Sequence, residues 1–232
     1  MGRLIHNARY HRQAYDRATG TWQVTCYTSE RFPVDGEIVT SVSDEDLDGA
    51  ILEWRAYLDA EGRSVVRVSE HLAPRASRLW YVAIPHDDHD PLTCDLVAFD
   101  TDHLPADRVI DDPTFMLLPV RAAQQVAAVR WLPSTGVVDQ VYVGKDRRRL
   151  HLATKVLAAT SAYHQHRGWP GVLRGDGRRT RLGELFATNV GIPHRVPAWT
   201  EYHRPMDRAD GVEARVDEPE QPPGAQPAQG GA

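Results

Sequence analysis

Short runs of β-branched, aromatic and other apolar residues recur along the first two thirds of the chain, separated by Pro, Asp and Gly. Runs of this kind, bounded by turn residues, predict β-strands. The predicted strands cover residues 22–28, 36–42, 63–68, 79–84, 94–99, 115–120, 125–132 and 137–143. Between the second and third of them a helix is predicted, because Ser43 is a typical N-cap residue and apolar residues follow it at helical spacing. These apolar residues are Leu47, Ile51, Trp54 and Leu58.

The period of the pattern changes after residue 150. A long helix is predicted there from apolar residues that share one face, and Gly168 and Pro170 end it. The residues on that face are Leu152, Val156, Ala159 and Tyr163. A short strand is predicted at 171–173, a second helix at 181–189 and a last strand at 199–203. The sequence therefore predicts an α/β (α+β) fold.

Composition divides the chain into three parts. Residues 1–70 carry the first predicted strands and helix, and they either extend the main fold or belong to it. Residues 71–205 are predicted to form the core of the fold. Residues 206–232 are predicted to be a disordered tail, because they are rich in Pro, Gly, Ala, Asp, Glu and Gln and have almost no large apolar side chain after Val216.

Charge and cysteine content narrow the classes of protein that fit. The chain has 232 residues and a formal net charge of −5, so bulk electrostatics make a nucleic-acid partner unlikely. The first ten residues lack the apolar core of a signal peptide, and no run approaches the roughly 18 apolar residues of a membrane helix. We therefore expect a cytoplasmic protein without a membrane partner. Only Cys26 and Cys94 are present, and the His and Asp run at 86–90 lacks further ligands at metal-site spacing, so we expect no metal.

The most informative segment is the succession of a predicted strand, a basic loop and a predicted helix at residues 141–154. The start of a helix offers unpaired backbone N–H groups and the positive end of the helix dipole. A strand that leads directly into the helix aims those groups at one point, which suits a phosphate or pyrophosphate. Arg147, Arg148 and Arg149 add positive charge and bidentate donors. The alternative is a solvated basic loop with no ligand.

This junction resembles the acyl-CoA-binding core of the GNAT acyltransferase superfamily. In that family a Val-x-Val strand precedes the motif Arg/Gln-x-x-Gly-x-Gly/Ala, which lies at the start of a long helix. Val141 and Val143 match the strand, and Arg148 and Ala153 match the first and last motif positions. His151 stands where the family usually has glycine. The order of predicted elements over residues 78–203 is also similar to that of the family.

The resemblance implies a GNAT-like fold, with a mixed, mostly antiparallel central sheet flanked by helices, an N-terminal extension and the tail. It also implies acetyl-CoA or another acyl-CoA as co-substrate, and an N-acyltransferase that moves the acyl group to an amine of a small molecule or protein. The residues that the resemblance assigns to acyl-CoA binding are Val141, Tyr142, Val143, Arg148, Arg149, Leu150, His151, Leu152, Ala153 and Thr154.

Catalytic residues are less clearly indicated. Transfer to an amine needs a base, and a carboxylate acting directly or through water is the usual one. Asp139 precedes the Val-x-Val positions on their strand and is the candidate base, although it also fits an exposed strand residue. Many family members have a tyrosine on the last helix that protonates the leaving thiolate. Residues 181–189 contain none, and Glu184 is the candidate substitute.

The alternative function is a non-catalytic module of the same fold. It binds a protein or nucleic-acid partner through the arginine-rich loop at 147–149 and the second basic group at 174–181. His151 and the missing tyrosine favour this alternative, whereas Arg148, Ala153 and the Val-x-Val strand favour the enzyme. The sequence predicts neither the acyl acceptor nor the oligomeric state.

Overall fold

The structure, a computed structural model, describes residues 9–17, 20–28, 48–88, 90–179, 183, 185, 186, 201 and 202. Its strands are β1 (Arg9–Asp16), β2 (Thr21–Thr28), β3 (Ile51–Leu58), β4 (Ser64–Val68), β5 (Trp80–His86), β6 (Thr93–Phe99), β7 (Val109–Asp111), β8 (Ala127–Leu132), β9 (Val137–Val143), β10 (Arg174–Gly175), β11 (Arg178–Arg179) and β12 (Glu201–Tyr202). Its helices are α1 (Asp112–Phe115) and α2 (Leu152–His166), with 3-10 turns at Ala122–Gln124 and Lys145–Arg147. Residues 183, 185 and 186 are also helical.

The strands form two large sheets. The first sheet is an antiparallel meander in the order β1-β2-β3-β4. The second sheet has the order β10-β9-β8-β6-β5-β7, and its β10–β9 and β5–β7 pairs are parallel while the others are antiparallel. Strands β11 and β12 form a short parallel pair. The described residues therefore have an α+β fold with mixed sheets, which agrees with the predicted class at that level.

Helix α2 packs against both large sheets and lies at the centre of the hydrophobic core. Leu152, Val156 and Ala159 on its buried face are at most 2% exposed. They share one cluster with Trp54 of the first sheet and Trp131 of the second. Burial of one large aliphatic side chain contributes roughly 1.5–3 kcal/mol, so this shared core fixes the start of α2 relative to both sheets.

The two sheets are also joined through the backbone. Val65 of β4 forms a bridge with Arg108, and the N–H of Val66 donates to the carbonyl of Asp107 at 2.8 Å. The N–H of Asp107 donates in turn to the carbonyl of Leu79 at 2.6 Å, just before β5. Asp107 has a φ of 70°, a left-handed conformation that costs a non-glycine residue roughly 1–2 kcal/mol. The hydrogen bonds on both sides hold it there.

The face of the second sheet turned away from α2 has a smaller apolar cluster. Trp80 and Phe99 stack there with ring centroids 4.6 Å apart, and Val120 packs beside them. The segment that covers this cluster begins at α1, where the Asp111 carboxylate accepts a hydrogen bond from the Thr114 N–H at 3.0 Å. We call this side of the second sheet its outer face.

Most of the strand predictions are confirmed, with ends shifted by one or two residues. The predictions at 22–28, 63–68, 79–84, 94–99, 125–132 and 137–143 correspond to β2, β4, β5, β6, β8 and β9. The long helix is α2, which ends two residues before Gly168, and the last predicted strand corresponds to β12. The sequence pattern does not predict β1, β7 or β11.

The helix predicted from Leu47, Ile51, Trp54 and Leu58 is wrong, because Ile51–Leu58 is strand β3. Trp54 and Ala56 are buried in the core, while Arg55 and Tyr57, which alternate with them along the strand, are partly exposed. Pairing with β2 on one side and β4 on the other satisfies the backbone of β3 along most of its length. These long-range contacts outweigh the local helical spacing, a weak signal over so few residues.

Two further predictions need correction. The strand predicted at 115–120 is wrong, since Asp112–Phe115 is helix α1 and the following residues turn. A Pro in the first turn and the Asp111 cap favour that helix. The short strand predicted at 171–173 lies instead at Arg174–Gly175. The predicted strand at 36–42, most of the predicted helix at 181–189 and the predicted tail at 206–232 lie outside the described residues.

His164 is a buried histidine with a fixed tautomer, and its burial makes stability depend on pH. The Trp131 Nε1–H donates to His164 Nδ1 at 3.2 Å, so the proton of the neutral ring lies on Nε2, which is 3.1 Å from the Pro170 carbonyl. Burial lowers the pKa of His164. The fold favours the neutral ring, so its contribution is complete above the ordinary histidine pKa of about 6.5 and is lost as pH falls below it.

We therefore expect the wild-type protein to lose stability on acidification faster than His164→Gln, by up to about 1.4 kcal/mol per pH unit below pH 6.5. Urea unfolding at a series of pH values measures the difference between the two proteins. Parallel pH profiles for wild type and variant would show that His164 carries no such linkage.

Candidate functional site

Strand β9 leads into helix α2 through a basic loop, residues 144–151, which we call the α2 loop. A 3-10 turn covers Lys145–Arg147, and Arg148 is extended, with φ −69° and ψ 155°. Arg149 and His151 then adopt left-handed conformations, with φ 65° and 58°. Two left-handed residues so close together bend the chain sharply just before α2 begins.

The first turn of α2 has the properties of an anion site. His151 is the N-cap residue, but its side chain makes no capping hydrogen bond, so it does not occupy the backbone N–H groups of that turn. The helix has 15 residues, and its dipole places positive charge at this end. His151 also has the positive φ that glycine adopts without strain. This is the position at which the GNAT motif has glycine.

Three arginines of the α2 loop have different surroundings. Arg147 pairs with Asp100, with 2.9 Å between Nη1 and Oδ2, so its charge is partly neutralised. Arg148 is half-buried, and its Nε donates to the Val143 carbonyl at 3.4 Å, which holds it against the end of β9. Arg149 is exposed. Arg148 and Arg149 both lie between the end of β9 and the start of α2.

A further arginine reaches this site from far away in the sequence. Arg75, which follows β4, lies with Nη2 3.4 Å from His151 Nε2. Nearby, Lys155 of α2 donates from Nζ to the Ser77 carbonyl at 2.7 Å. Residues 75–77 therefore lie over the first turn of α2. Sequence reasoning missed Arg75, because no spacing within the chain signals a contact between residues 76 positions apart.

Lys155 is a buried cation behind the first turn. It is 9% exposed, and burial lowers its pKa, while the charges of Asp107 and Glu70 act in the opposite direction. Burial also raises the pKa of Asp107. The hydroxyl of Tyr81 is buried without a hydrogen-bond partner among the described residues, and burial together with the Asp107 charge raises its pKa. Because Lys155 is buried and donates to the Ser77 carbonyl, it anchors the 75–77 segment and is not a surface charge.

Strand β9 pairs with β10 over a short distance only. The parallel pairing joins 137–138 of β9 to 174–175 of β10. Further along, Val141 is 39% exposed, although its cross-strand partner Val129 is fully buried on the side of α2. The described residues of β9 and β10 thus separate toward the end of β9 that leads into α2. We use the term β9 gap for the edge of β9 at Val141 and Val143, which pairs with no described residue on the side of β10.

A β-bulge at Asp139 accompanies this separation. On the side of β8, Arg130 pairs with Gln140 but Trp131 pairs with Val138, so Asp139 is an extra residue in β9. A bulge bends its strand and increases the local twist. The bend turns the second half of β9 relative to its first half and so contributes to the β9 gap.

Gly136 fixes the start of the same region. It ends the turn between β8 and β9 with a φ of 69°, and a Cβ there would lie 2.8 Å from the Val172 carbonyl carbon. Its carbonyl accepts a hydrogen bond from the Arg174 N–H at 2.9 Å, beside the first β9–β10 pair. The close approach of the two backbones therefore requires a residue without a side chain.

The two predicted catalytic carboxylates differ in what the structure shows of them. The Asp139 carboxylate is 30% exposed, and its Oδ1 lies 3.3 Å from Nη2 of Arg178. Arg178 also bonds to Asp176, so it links two acids where β9 and β10 separate. Asp139 is thus an ion-paired carboxylate at the bulge. Glu184 lies outside the described residues, and the structure does not place it.

The residues assigned to acyl-CoA binding do not all face one space. Leu152 is 2% exposed and belongs to the core, so its side chain supports α2 from inside. Leu150 is 38% exposed, and Ala153 and Thr154 are half-buried. Tyr142 pairs with Ala128 of the outer-face cluster, so it points away from the α2 side. In the assigned segment the backbone at the start of α2 is therefore the shared feature, whereas the side chains face different spaces.

Tyr142 lines an open cleft of about 390 Å³ on the outer face. Its walls include Asp100, Thr101 and Arg147, and the Trp80 Nε1–H holds Thr101 through its carbonyl at 2.9 Å. The Asp100–Arg147 ion pair lies within the lining. The cleft is polar and lies on the side of the α2 loop away from the β9 gap.

The His and Asp run at 86–90 does not form a metal site in the described residues. His86 Nε2 lies 2.9 Å from Asp95 Oδ2, and Arg130 bonds to both oxygens of Asp95 at 2.7 Å. Burial acts to raise the pKa of Asp95, but the hydrogen bonds from Arg130 and His86 outweigh it, so the pKa lies below its usual value. Among the described residues, no group of three or more His, Cys, Asp or Glu side chains is placed to hold a metal.

Searches against models of protein families, curated proteins and solved structures found no match to this chain. Within the part of the chain that the structure describes, no helix is long and apolar enough to cross a membrane.

Proposed function

We propose that the chain binds acetyl-CoA or another acyl-CoA and is a GNAT-like N-acyltransferase. The observation that carries this proposal is the β9–α2 junction, where an uncapped helix start meets a basic loop beside a strand that separates from its parallel neighbour. The order of antiparallel strands, helix α2 and the parallel strand β10 supports the same proposal. His151 is compatible with the proposal as well, because its backbone has a positive φ that glycine adopts without strain.

In this proposal the diphosphate of the acyl-CoA lies at the first turn of α2. Backbone N–H groups of that turn hold it without regard to the side chain at 151. Arg148 and Arg149 contribute charge-assisted hydrogen bonds, and Arg75 adds a third cation near His151. The pantetheine arm occupies the β9 gap, and the thioester lies toward the bulge at Asp139.

The acyl-CoA supplies an acyl thioester, and the protein positions an amine to attack its carbonyl carbon. A C–N bond forms and the C–S bond breaks, so the amine loses a proton and the thiolate gains one. Asp139 is the proposed acceptor of the amine proton, directly or through water. For this step the ion pair between Arg178 and Asp139 has to break, or a water molecule has to bridge the amine and the carboxylate. Glu184 stays the proposed donor to the thiolate.

Calorimetric titration of the purified protein with acetyl-CoA tests the proposal. We expect saturable binding of one acetyl-CoA per chain, and CoA without the acyl group should also bind because it carries the same diphosphate. No heat at ligand concentrations in the high micromolar range would contradict the proposal. If acetyl-CoA binds, release of free CoA thiol in the presence of a panel of amines measures the transfer itself.

The second candidate is the non-catalytic module that binds its partner through the α2 loop. The exposure of Arg149 and of nearly half of the Arg147 side chain favours this function. Acetyl-CoA titration separates the two, because the module is expected to give no saturable acyl-CoA binding.

A further inference from the structure

Arginines form a row across the first sheet, on the face turned away from α2. Arg12 of β1 pairs with Thr25 of β2, Thr25 pairs with Arg55 of β3, and Arg55 pairs with Arg67 of β4. Side chains alternate between the two faces of a strand. Trp54, next to Arg55, belongs to the core around α2. The arginine row (Arg12, Arg55 and Arg67) therefore lies on the opposite, outer face of the first sheet.

The row places like charges next to each other. Arg55 and Arg67 are direct cross-strand partners, and neighbouring strands are only about 4.8 Å apart. Like charges at directly opposed positions are destabilising. Arg67 is partly compensated by Asp107, with 3.2 Å between Nε and Oδ2, and its side chain is still 49% exposed. An anion that meets both guanidinium groups would relieve the remaining repulsion.

Arg55 has an unused donor. Its Nε is buried and has no hydrogen-bond partner among the described residues. Its guanidinium lies 5.8 Å from the centre of the Tyr57 ring, which is on the same face. A buried donor without a partner is unfavourable, and no described residue supplies an acceptor for this one.

The next register line on this face is uncharged. It contains Ala14, Gln23 and Tyr57, which offer a small side chain, an amide and an aromatic ring, and it ends at the buried Val65 of β4. The carboxylate beyond Tyr57 is Asp59, which Arg63 and Arg108 hold in ion pairs. A row of guanidinium groups thus runs beside a line with an aromatic ring and an amide. The acid nearest to Arg55 along β3 is Glu53, which is buried and accepts a hydrogen bond from the Cys26 Sγ–H at 3.7 Å.

We propose that the outer face of the first sheet binds single-stranded nucleic acid, with phosphates on Arg55 and Arg67 and a base against Tyr57 and Gln23. Guanidinium groups match phosphate oxygens bidentately, and bases stack on aromatic side chains in single-stranded complexes. An acidic peptide would also satisfy the arginines, but it has no planar group for Tyr57. The negative charge of the whole chain makes this binding weak and dependent on salt.

Fluorescence anisotropy with a labelled oligo(dT) or oligo(U), at several salt concentrations, tests the proposal. If Arg55 and Arg67 each neutralise one phosphate, log of the affinity should fall against log of the salt concentration with a slope of about −1.4. Arg55→Gln should reduce the slope to about −0.7. Tyr57→Ala should weaken binding about five- to a hundredfold with the slope unchanged, because it removes stacking and no charge.

Matched controls separate this surface from other cations. Arg121 is an exposed arginine of the second sheet's loops, and Arg121→Gln should leave affinity and slope unchanged. Arg149→Glu, in the α2 loop, should also leave the slope unchanged. Thermal melts confirm that each variant folds.

Any of three results from the oligonucleotide titrations would overturn the proposal. These are no saturable binding at low salt, a wild-type slope for Arg55→Gln, and loss of binding through Arg149→Glu alone. Equal binding of poly-glutamate that Tyr57→Ala does not weaken would assign the surface to an acidic protein instead and would also overturn it.

Discussion

The variant Arg148→Glu is expected to bind acetyl-CoA about ten- to a hundredfold more weakly than wild type. A hydrogen bond to a charged group contributes roughly 1.5–3 kcal/mol, and each 1.4 kcal/mol is about tenfold in affinity. Arg148 is part of the α2 loop and lies against the end of β9, close to the start of the helix, so a carboxylate there would face the diphosphate. Calorimetric titration of both proteins measures the change.

Arg17→Glu is the matched control for this experiment. Arg17 is an exposed arginine in the turn after β1, and its replacement changes the net charge by the same amount. We expect it to retain wild-type affinity. Unchanged affinity in Arg148→Glu would place the anion site elsewhere, and equal losses in both variants would mean that bulk charge alone governs binding.

Gly136→Ala is expected to lower the free energy of unfolding by about 2–5 kcal/mol. Its positive φ costs a residue with a side chain roughly 1–2 kcal/mol, and crowding in a packed region typically costs a further 1–3 kcal/mol or so. The new methyl group would meet the backbone of Val172, which cannot move aside as a flexible side chain could. Because this backbone leads into β10, we also expect weaker acetyl-CoA binding. Urea unfolding measures the stability.

Gly62→Ala isolates the effect of crowding at Gly136. Gly62 also has a positive φ, 73°, but a Cβ there meets nothing within 4 Å. We expect it to lose only the roughly 1–2 kcal/mol of the left-handed conformation. If the two variants are destabilised equally, the contact between the turn and Val172 does not constrain the β9–β10 pair.

The sequence predicts the elements whose signals are local. Strand β9 has the predicted ends, and α2 begins at Leu152 and stops just before the Gly and Pro that end it. Strand β3 could not be predicted in this way, because its pairing with β2 and β4 is set by residues distant in the chain. Strand β1 is a related case, since it carries many polar side chains and is defined by its register with β2.

The candidate site shows the same division. The basic loop, the helix start and the position of Asp139 on β9 follow from the sequence, whereas the bulge at Asp139 and its ion pair with Arg178 depend on pairing that no local pattern encodes. Arg75 reaches His151 only because the chain folds over α2. The left-handed conformation of His151 is equally hidden, since histidine gives no sequence signal for it.

A crystal structure of the protein grown with acetyl-CoA tests the central claim most directly. We predict that the diphosphate lies on the backbone N–H groups at the first turn of α2, beside Arg148, and that the thioester lies in the β9 gap near Asp139. Acetyl-CoA bound at another surface, or crystals grown at saturating acetyl-CoA with none at α2, would contradict it.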